Sequence, residues 1–360
     1  MALRQSNVPM PDSRITASDV ARKAGVSQPT VSRVFTPGAR VSPDRERRVR
    51  EAARELGYQP NTLARSLNTG RSYTIGVVLA CLQNPFYPEA LQRLSEALSA
   101  KGYHVMVFFA ANMAEEVDGV VDNLLAHQVD GIILASVSIS NELTDRLKEL
   151  KIPFVLFNRA QEDRGLPAVT AANFEGGKRA GRFLAAGGHV RIAHIAGWQK
   201  SLNGRDRQAG FVAGLAEHGL APFRIIYGEY DRQKAIAATR ALFDCGTFPD
   251  AVFVGNDHMA FAVLETLRMD LGLRVPDDVS VVGYDDVPMA AWGTYDLTTL
   301  RQPVNRMVGE TVSMLLAMIN NHPLQGRVEI DSPLILRGSA RIPDGWTSPR
   351  RIRHPRNTTG

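Results

Sequence analysis

Polar and aromatic side chains stand at the downstream ends of several short apolar runs, where an open α/β sheet presents groups to a ligand. Asn84 and Phe86 follow the run Tyr73 to Ala80. Asn158 and Arg159 follow Ile152 to Phe157, Asn256 and Asp257 follow Ala251 to Gly255, and Asp285 and Asp286 follow Val279 to Gly283. With Arg207, near the start of a helical stretch, these could line one cleft. Carboxylate, amide and guanidinium offer directed hydrogen bonds to a hydroxyl-rich small molecule, and an aromatic face stacks on its apolar side. Singly, an Asp or Asn after a strand is more often a helix cap than a ligand contact. Asp285 and Asp286 are the one pair suited to acid–base chemistry, but adjacent residues leaving a strand point to different sides, so a concerted pair is not expected. The signatures GxGxxG, GxxxxGK[ST], HExxH and GxSxG are missing and the eight histidines are scattered, so no enzyme is expected. Cys81 and Cys245 lie far apart and match no metal or disulfide pattern, so neither metal nor cofactor is expected.

A second chemistry lies near the N-terminus. Glutamine pairs two-pronged with adenine and arginine with guanine in the major groove. Gln28 and Arg33 occupy a short helical stretch within a basic region: residues 1 to 72 carry 13 Arg and Lys against 6 Asp and Glu. Residues 73 to 348 carry 25 against 31, and four arginines follow Pro349. A basic end on an acidic body points to a polyanion partner for that end.

The elements that position these residues follow from pattern. Thr16 caps a first helix with Asp19 in the acidic slot of a capping box, Val20, Ala21 and Ala24 face inward, and Gly25 ends it. Ser27 caps the second helix, Pro29 fits its first turn, and Val31 and Val34 form its apolar stripe. Ala21, Gly25 and Val31 have helix-turn-helix spacing. A third helix runs from Ser42 to Gly57 with Val49, Ala52, Ala53 and Leu56 buried. Beyond Pro60, the segment Asn61 to Leu67 is too short for a stable isolated helix. The apolar runs named above, with Tyr103 to Phe109, Gly131 to Ala135, Val190 to Gly197 and Arg224 to Glu229, then read as buried parallel strands in two series with helices between. At 360 residues several folding units are expected. No run of 18 apolar residues spans a membrane and no secretory signal opens the chain, so a cytoplasmic place is expected.

From about Ile15 to Arg341 the chain resembles the lactose and purine repressor family (LacI/GalR). The densest match is ITASDVARKAGVSQPTVSRVF, with VS, RV, EAA, ELGYQPN and ARSL beyond it. The resemblance implies that Gln28 and Pro29, at the start of the recognition helix, face base edges with Arg33 one turn on. Thr16, Ser32 and Asn61 touch phosphates, and Leu67 wedges into the central minor groove. Pro29 offers only an apolar surface, so base reading leans on Gln28, Arg33 and Thr30. In the core, the stretches RQAGF, GND and GYDD place Arg207, Asn256 and Asp285 at the family's effector contacts. Asn158 matches another, Phe86 lies in its NPF lip, Tyr230 matches an aromatic wall, and Gln302 lies in the last crossover between lobes. Ala171-Ala172-Asn173 departs from the family, many of whose members carry aspartate before the asparagine.

The implied architecture is α/β: an all-α helix-turn-helix headpiece and a two-lobed core of doubly wound parallel sheets, of the type I periplasmic-binding-protein kind. The expected divisions are a disordered 1–13, a DNA-binding domain at 14–59, a hinge at 60–72, a core at 73–341 and a flexible basic tail at 342–360. Lobe 1 is expected at about 73–170 and 303–323, lobe 2 at about 171–302 and 324–341. The implied function is a transcription regulator, a repressor, whose affinity for operator DNA is set by a sugar, sugar acid or related metabolite. A homodimer on a pseudo-palindromic site is expected, because one headpiece reads a short half-site and two-fold protein symmetry matches two-fold DNA symmetry; the tail has no heptad for the coiled coil a tetramer would need. The competing reading is a stand-alone sugar-binding receptor, which the headpiece and the expected cytoplasmic location oppose.

Overall fold

The computed structural model describes residues 15–347 apart from 36–38, 60–70, 81, 111–113, 138, 245 and 323–325. Asn61, Leu67 and most of the hinge, with both chain ends, therefore lie outside the described residues. The chain divides into two units, Met1–Ser72 and Tyr73–Gly360.

The first unit holds α1 (Ala17–Ala24), α2 (Gln28–Val34) and α3 (Pro43–Leu56). Thr16 completes the expected capping box: its hydroxyl oxygen accepts from the Asp19 amide, and the Asp19 carboxylate accepts from the Thr16 backbone at 3.0 Å. Gly25 closes α1 in the left-handed region at φ 63°. Ser27 stands at the N-cap of α2 without capping it through its side chain; its hydroxyl pairs instead with that of Thr30 at 2.9 Å. Val20, Val31, Val34, Val49 and Ala52 from the three helices close on one small core. With so little buried area, the cap matters. Thr16→Ala is expected to destabilise the headpiece by about 1 kcal/mol, read as a lower melting point of its helical signal.

In the second unit, β1 (Thr74–Leu79), α4 (Phe86–Ser99), β2 (His104–Phe109), α5 (Ala114–Ala126), β3 (Gly131–Ala135), α6 (Asn141–Glu149), β4 (Phe154–Phe157) and β5 (Ala168–Ala171) build the first lobe. The chain then crosses. Next come α7 (Asn173–Ala186), β6 (Ile192–Ala196), α8 (Leu202–Ala216), β7 (Arg224–Tyr227), α9 (Arg232–Phe243), β8 (Ala251–Val254), α10 (Asp257–Glu265), β9 (Ser280–Asp285) and β10 (Thr298–Arg301) of the second lobe. A return crossing leads to α11 (Val304–Ile319) and β11 (Arg327–Ile330), and a last one to β12 (Leu334–Ile335).

The two sheets run β11-β5-β4-β3-β1-β2 and β12-β10-β9-β8-β6-β7. Every recorded pairing is parallel except β10 with β12. The central strands β3, β4, β6 and β8 are buried along their whole length, as helices on both faces of a parallel sheet require.

Two sequence expectations change. β9 extends to Asp285, so that residue ends a strand rather than following one. Segment 324–341 does not belong wholly to lobe 2: β11 pairs with β5, Arg327 opposite Ala168 through Ile330 opposite Ala171, and only β12 joins the second sheet. The motif RVEI carries no label for either lobe; the open edge of β5 decides.

One close approach fixes the inner geometry of lobe 2. Helices α7 and α8 pack glycine against backbone. A Cβ on Gly177 would lie 2.0 Å from the Arg207 carbonyl oxygen, and one on Gly210 would lie 1.9 Å from that of Phe174.

Candidate ligand cleft and DNA-reading helix

A cavity of about 290 Å³ lies where the strand ends of the two lobes face each other. Among its walls are six of the seven core residues that the family resemblance implies, Asn158, Arg207, Tyr230, Asn256, Asp285 and Gln302, together with Asn84 and Arg159 from the strand ends. Five cavity residues, Ser136, Asn158, Glu229, Tyr230 and Asp285, have φ between 52° and 133°, a region that side chains other than glycine enter at a cost. Such backbone strain gathers at sites where geometry matters.

Each polar group is held from behind. Asp285 accepts from the Gln302 amide at 2.6 Å and from the Asn84 amide at 3.2 Å, the latter bond reaching across the lobes. Burial raises its pKa to about 6, against the opposing pull of Arg207 and of the two amides. Arg207 is buried, donates to Asn173 Oδ1 at 2.6 Å and to the Gly255 carbonyl, and its guanidinium stacks 3.4 Å above the Tyr284 ring. Asn173 thus acts by holding Arg207, in the segment where the chain departs from the family. Asn256 is both wall and cap: its side-chain oxygen accepts from the Met259 amide at 3.0 Å at the start of α10. Asn158 donates to the Tyr87 hydroxyl at 3.2 Å, and its backbone oxygen accepts from Asn203 of the opposite lobe.

Two buried acceptors, Asn158 Oδ1 and Gln302 Oε1, have no hydrogen-bond partner. Such groups cost about 1–3 kcal/mol unless satisfied, so both call for donors from a ligand.

Phe86 is the exception among the residues that the resemblance implies. It is buried, stacks on Phe157 with ring centroids 6.3 Å apart, and meets Tyr87 edge-on. The cavity wall is made by Tyr87, since successive helical residues project about 100° apart. Residues the sequence reading passed over include Tyr87, Ser136, Trp198 and Asn203, all lining the cavity. Trp198 carries the Arg159 guanidinium 5.2 Å from its ring centroid, a contact between the two lobes at the cavity wall.

Asp257 and Asp286 do not line the cavity. Asp257 is fully buried, accepts from Thr299 at 2.6 Å and from the Val287 amide at 3.0 Å, and burial lifts its pKa to about 8. Asp286 is ion-paired with Arg301 and Arg337, each at 2.5 Å. Asp285 and Asp286 therefore serve different surroundings and do not act as one pair.

In the headpiece, α2 buries Val31 and Val34 and exposes Gln28, Pro29, Ser32 and Arg33, with Thr30 half-buried and Thr16 exposed at the start of α1. The faces separate cleanly.

Residues 72–338 match the family described as periplasmic binding proteins and sugar binding domain of the LacI family, and residues 16–61 match bacterial regulatory proteins, lacI family. The chain belongs to the LacI family. It is a DNA-binding transcription regulator with a metabolite-binding core. The ribose operon repressor of Escherichia coli K12 is 32% identical over 331 residues, covering 90% of this chain and 99% of the relative. The HTH-type transcriptional repressor PurR of Pectobacterium atrosepticum is 32% identical over 335 residues, covering 92% and 97%. A crystal structure of the lac repressor dimer bound to operator and the anti-inducer ONPF superposes with a TM-score of 0.82 at 27% identity, covering 91% of this chain and 99% of that one. These relatives are regulators.

Proposed function

We propose that this LacI-family protein is a homodimeric repressor whose cleft binds a sugar or sugar acid of about monosaccharide size, and that the bound molecule sets operator affinity. The observation that carries the effector reading is the pair of unsatisfied buried acceptors, Asn158 Oδ1 and Gln302 Oε1, beside the raised Asp285. Three acceptors in one small cavity match a molecule rich in hydroxyl donors, and Tyr87, Trp198 and Tyr230 supply the apolar faces that sugar rings need. Arg207 already spends donors on Asn173 and Gly255, so it favours an oxygen-rich neutral ligand or a single carboxylate over a highly charged one. A thermal-shift panel of neutral sugars, sugar acids, sugar phosphates and nucleobases tests this. A shift only with nucleobases would overturn it.

The headpiece is assigned to the major groove, with Gln28, Pro29, Thr30 and Arg33 toward bases and Thr16, Ser32 and Asn61 toward phosphates. Leu67 is assigned to the minor groove as the wedge through which the lobes act, and the protein to the cytoplasm with its DNA. Arg33→Ala is expected to cost about 1–3 kcal/mol on the operator and to relax base choice at one position, while random DNA is bound almost as before. Equal losses on operator and random duplexes in a salt-controlled gel shift would remove Arg33 from base reading.

A further inference from the structure

Residues 197–203, between β6 and α8 of lobe 2, form a braced loop. The Trp198 carbonyl oxygen accepts from the Ser201 amide at 3.2 Å and from its hydroxyl at 2.8 Å. Ser201 Oγ accepts in turn from the Gly204 amide at 3.1 Å as the cap of α8. A Cβ on Gly204 would stand 2.4 Å from the Trp198 carbonyl oxygen, so only glycine lets the turn close this tightly.

The loop's outward contacts are to lobe 1. Leu202, half-buried, packs on a hydrophobic cluster whose other members among the described residues, from Val78 to Ala168, all belong to lobe 1. That cluster includes Ala160, two residues past Asn158. Asn203 donates to the Asn158 carbonyl oxygen, Trp198 carries the Arg159 guanidinium, and Arg205 Nη2 reaches Glu162 Oε1 at 2.7 Å. The Arg205 and Glu162 pair is exposed and contributes little, whereas Leu202 gives the loop an apolar grip. Asn158 itself stands at φ 57°, a backbone conformation that persists where the surroundings enforce it.

We propose that Leu202, which does not line the cavity, is a positioning residue for the effector site. It docks the loop of lobe 2 on lobe 1, and the docked loop holds Asn158 by its backbone oxygen in the conformation that lines the cleft. The assignment rests on the reading of Asn158 as an effector contact. The lobe 1 half of the site is then complete only while the loop of lobe 2 is docked.

Hydrogen exchange of the full chain without effector, read by mass spectrometry, tests the docking. The Asn158 amide, bonded to the Val169 carbonyl oxygen at 2.8 Å, and the Gly204 amide are the reporters. Leu202→Ser should speed exchange at both by about tenfold or more, with α7 and β6 unchanged. Asn203→Ala should speed it at Asn158 while Gly204 stays protected, and Leu202→Met should remain within about twofold of the parent at both. Faster exchange at Gly204 alone in Leu202→Ser would overturn the proposal, as would no change at either reporter. Acceleration spread evenly through α7 and β6 would mean a general loss of stability and overturn it too. A second arm titrates parent and variants with D-ribose, D-glucose and D-gluconate. Any of these that the parent binds should bind Leu202→Ser about tenfold or more weaker and Leu202→Met normally; equal affinity in Leu202→Ser would remove the positioning role. Coupled exchange in a parent that binds none of the three would uphold the docking and count against the sugar reading of the cleft alone.

Discussion

Asp285→Ala is expected to abolish the effector response while the effector-free core stays folded. The carboxylate receives the Gln302 and Asn84 amides and faces the cavity, so an effector hydroxyl finds there a charged acceptor already oriented. Its loss removes that contact and leaves two amides to be satisfied by water, about 3 kcal/mol in all, roughly a hundredfold in affinity. Stability should move the other way. Burial raises the folded pKa of Asp285 from 3.8 to about 6. A group so shifted contributes stability that is full below the unfolded value and is lost as pH rises through the folded one. At pH 7 the empty cleft holds an ionised carboxylate at a cost, and alanine relieves it. The effector-free variant should melt no lower than the parent at pH 7, and its melting point should depend less on pH between 4 and 7. In the parent, the rise in melting point given by a hydroxyl-donating effector should be larger at pH 7 than at pH 5, where the carboxyl must first lose its proton. Asp285→Asn keeps the shape and should flatten that difference. A normal effector-driven change in operator affinity for Asp285→Ala at the parent's effector concentration would disprove the role.

The long apolar strands were legible because both faces of a parallel sheet are covered, so β1, β3, β6 and β8, written TIGVVL, GIILA, IAHIA and AVFV, are mostly apolar. β5, β10, β11 and β12 were not: AVTA, TTLR, RVEI and LI are short and, but for the last, mixed in polarity. They sit at or near the crossings between lobes, and their pairing depends on which edge is open rather than on local pattern. That is why the allocation of 324–341 failed at β11.

The cleft was legible where a residue ends a strand, because topology alone delivers strand ends to the same side. Where placement depends on helical phase it was not. Phe86 and Tyr87 are adjacent in one helical turn, and only the packing of Phe86 on Phe157 decides which of them faces the ligand. Trp198 and Asn203 meet Arg159 and Asn158 only once the lobes are apposed, a relation over about forty residues that no local spacing encodes. Asn256 shows the opposite limit: helix cap and wall coincide in one side chain, so the two readings of an Asn after a strand were never exclusive.

Gly210→Ala should be more damaging than any change in a cavity-lining side chain. Its Cβ would stand 1.9 Å from the Phe174 carbonyl oxygen and 3.0 Å from the Lys178 amide nitrogen, both backbone atoms of α7 that cannot swing aside as a side chain does. Either α8 retreats from α7 or one helix bends. The same contact repeats in reverse at Gly177 against the Arg207 carbonyl, so retreat carries Arg207 away from Asn173 and from the Tyr284 ring. Overpacking of this kind costs about 3 kcal/mol, the upper end of the usual range, because nothing nearby can yield. Effector affinity should fall together with stability, which separates this variant from Asp285→Ala, where affinity falls alone. Gly309→Ala serves as the control: it lies in α11 with nothing within 4 Å of the added Cβ, and should gain about 0.5–1 kcal/mol from helix propensity. Chemical denaturation of the two variants beside the parent decides the matter. If Gly210→Ala unfolds at the parent's midpoint and binds effector normally, the glycine seam does not position Arg207, and the guanidinium is held by Asn173 and Gly255 alone.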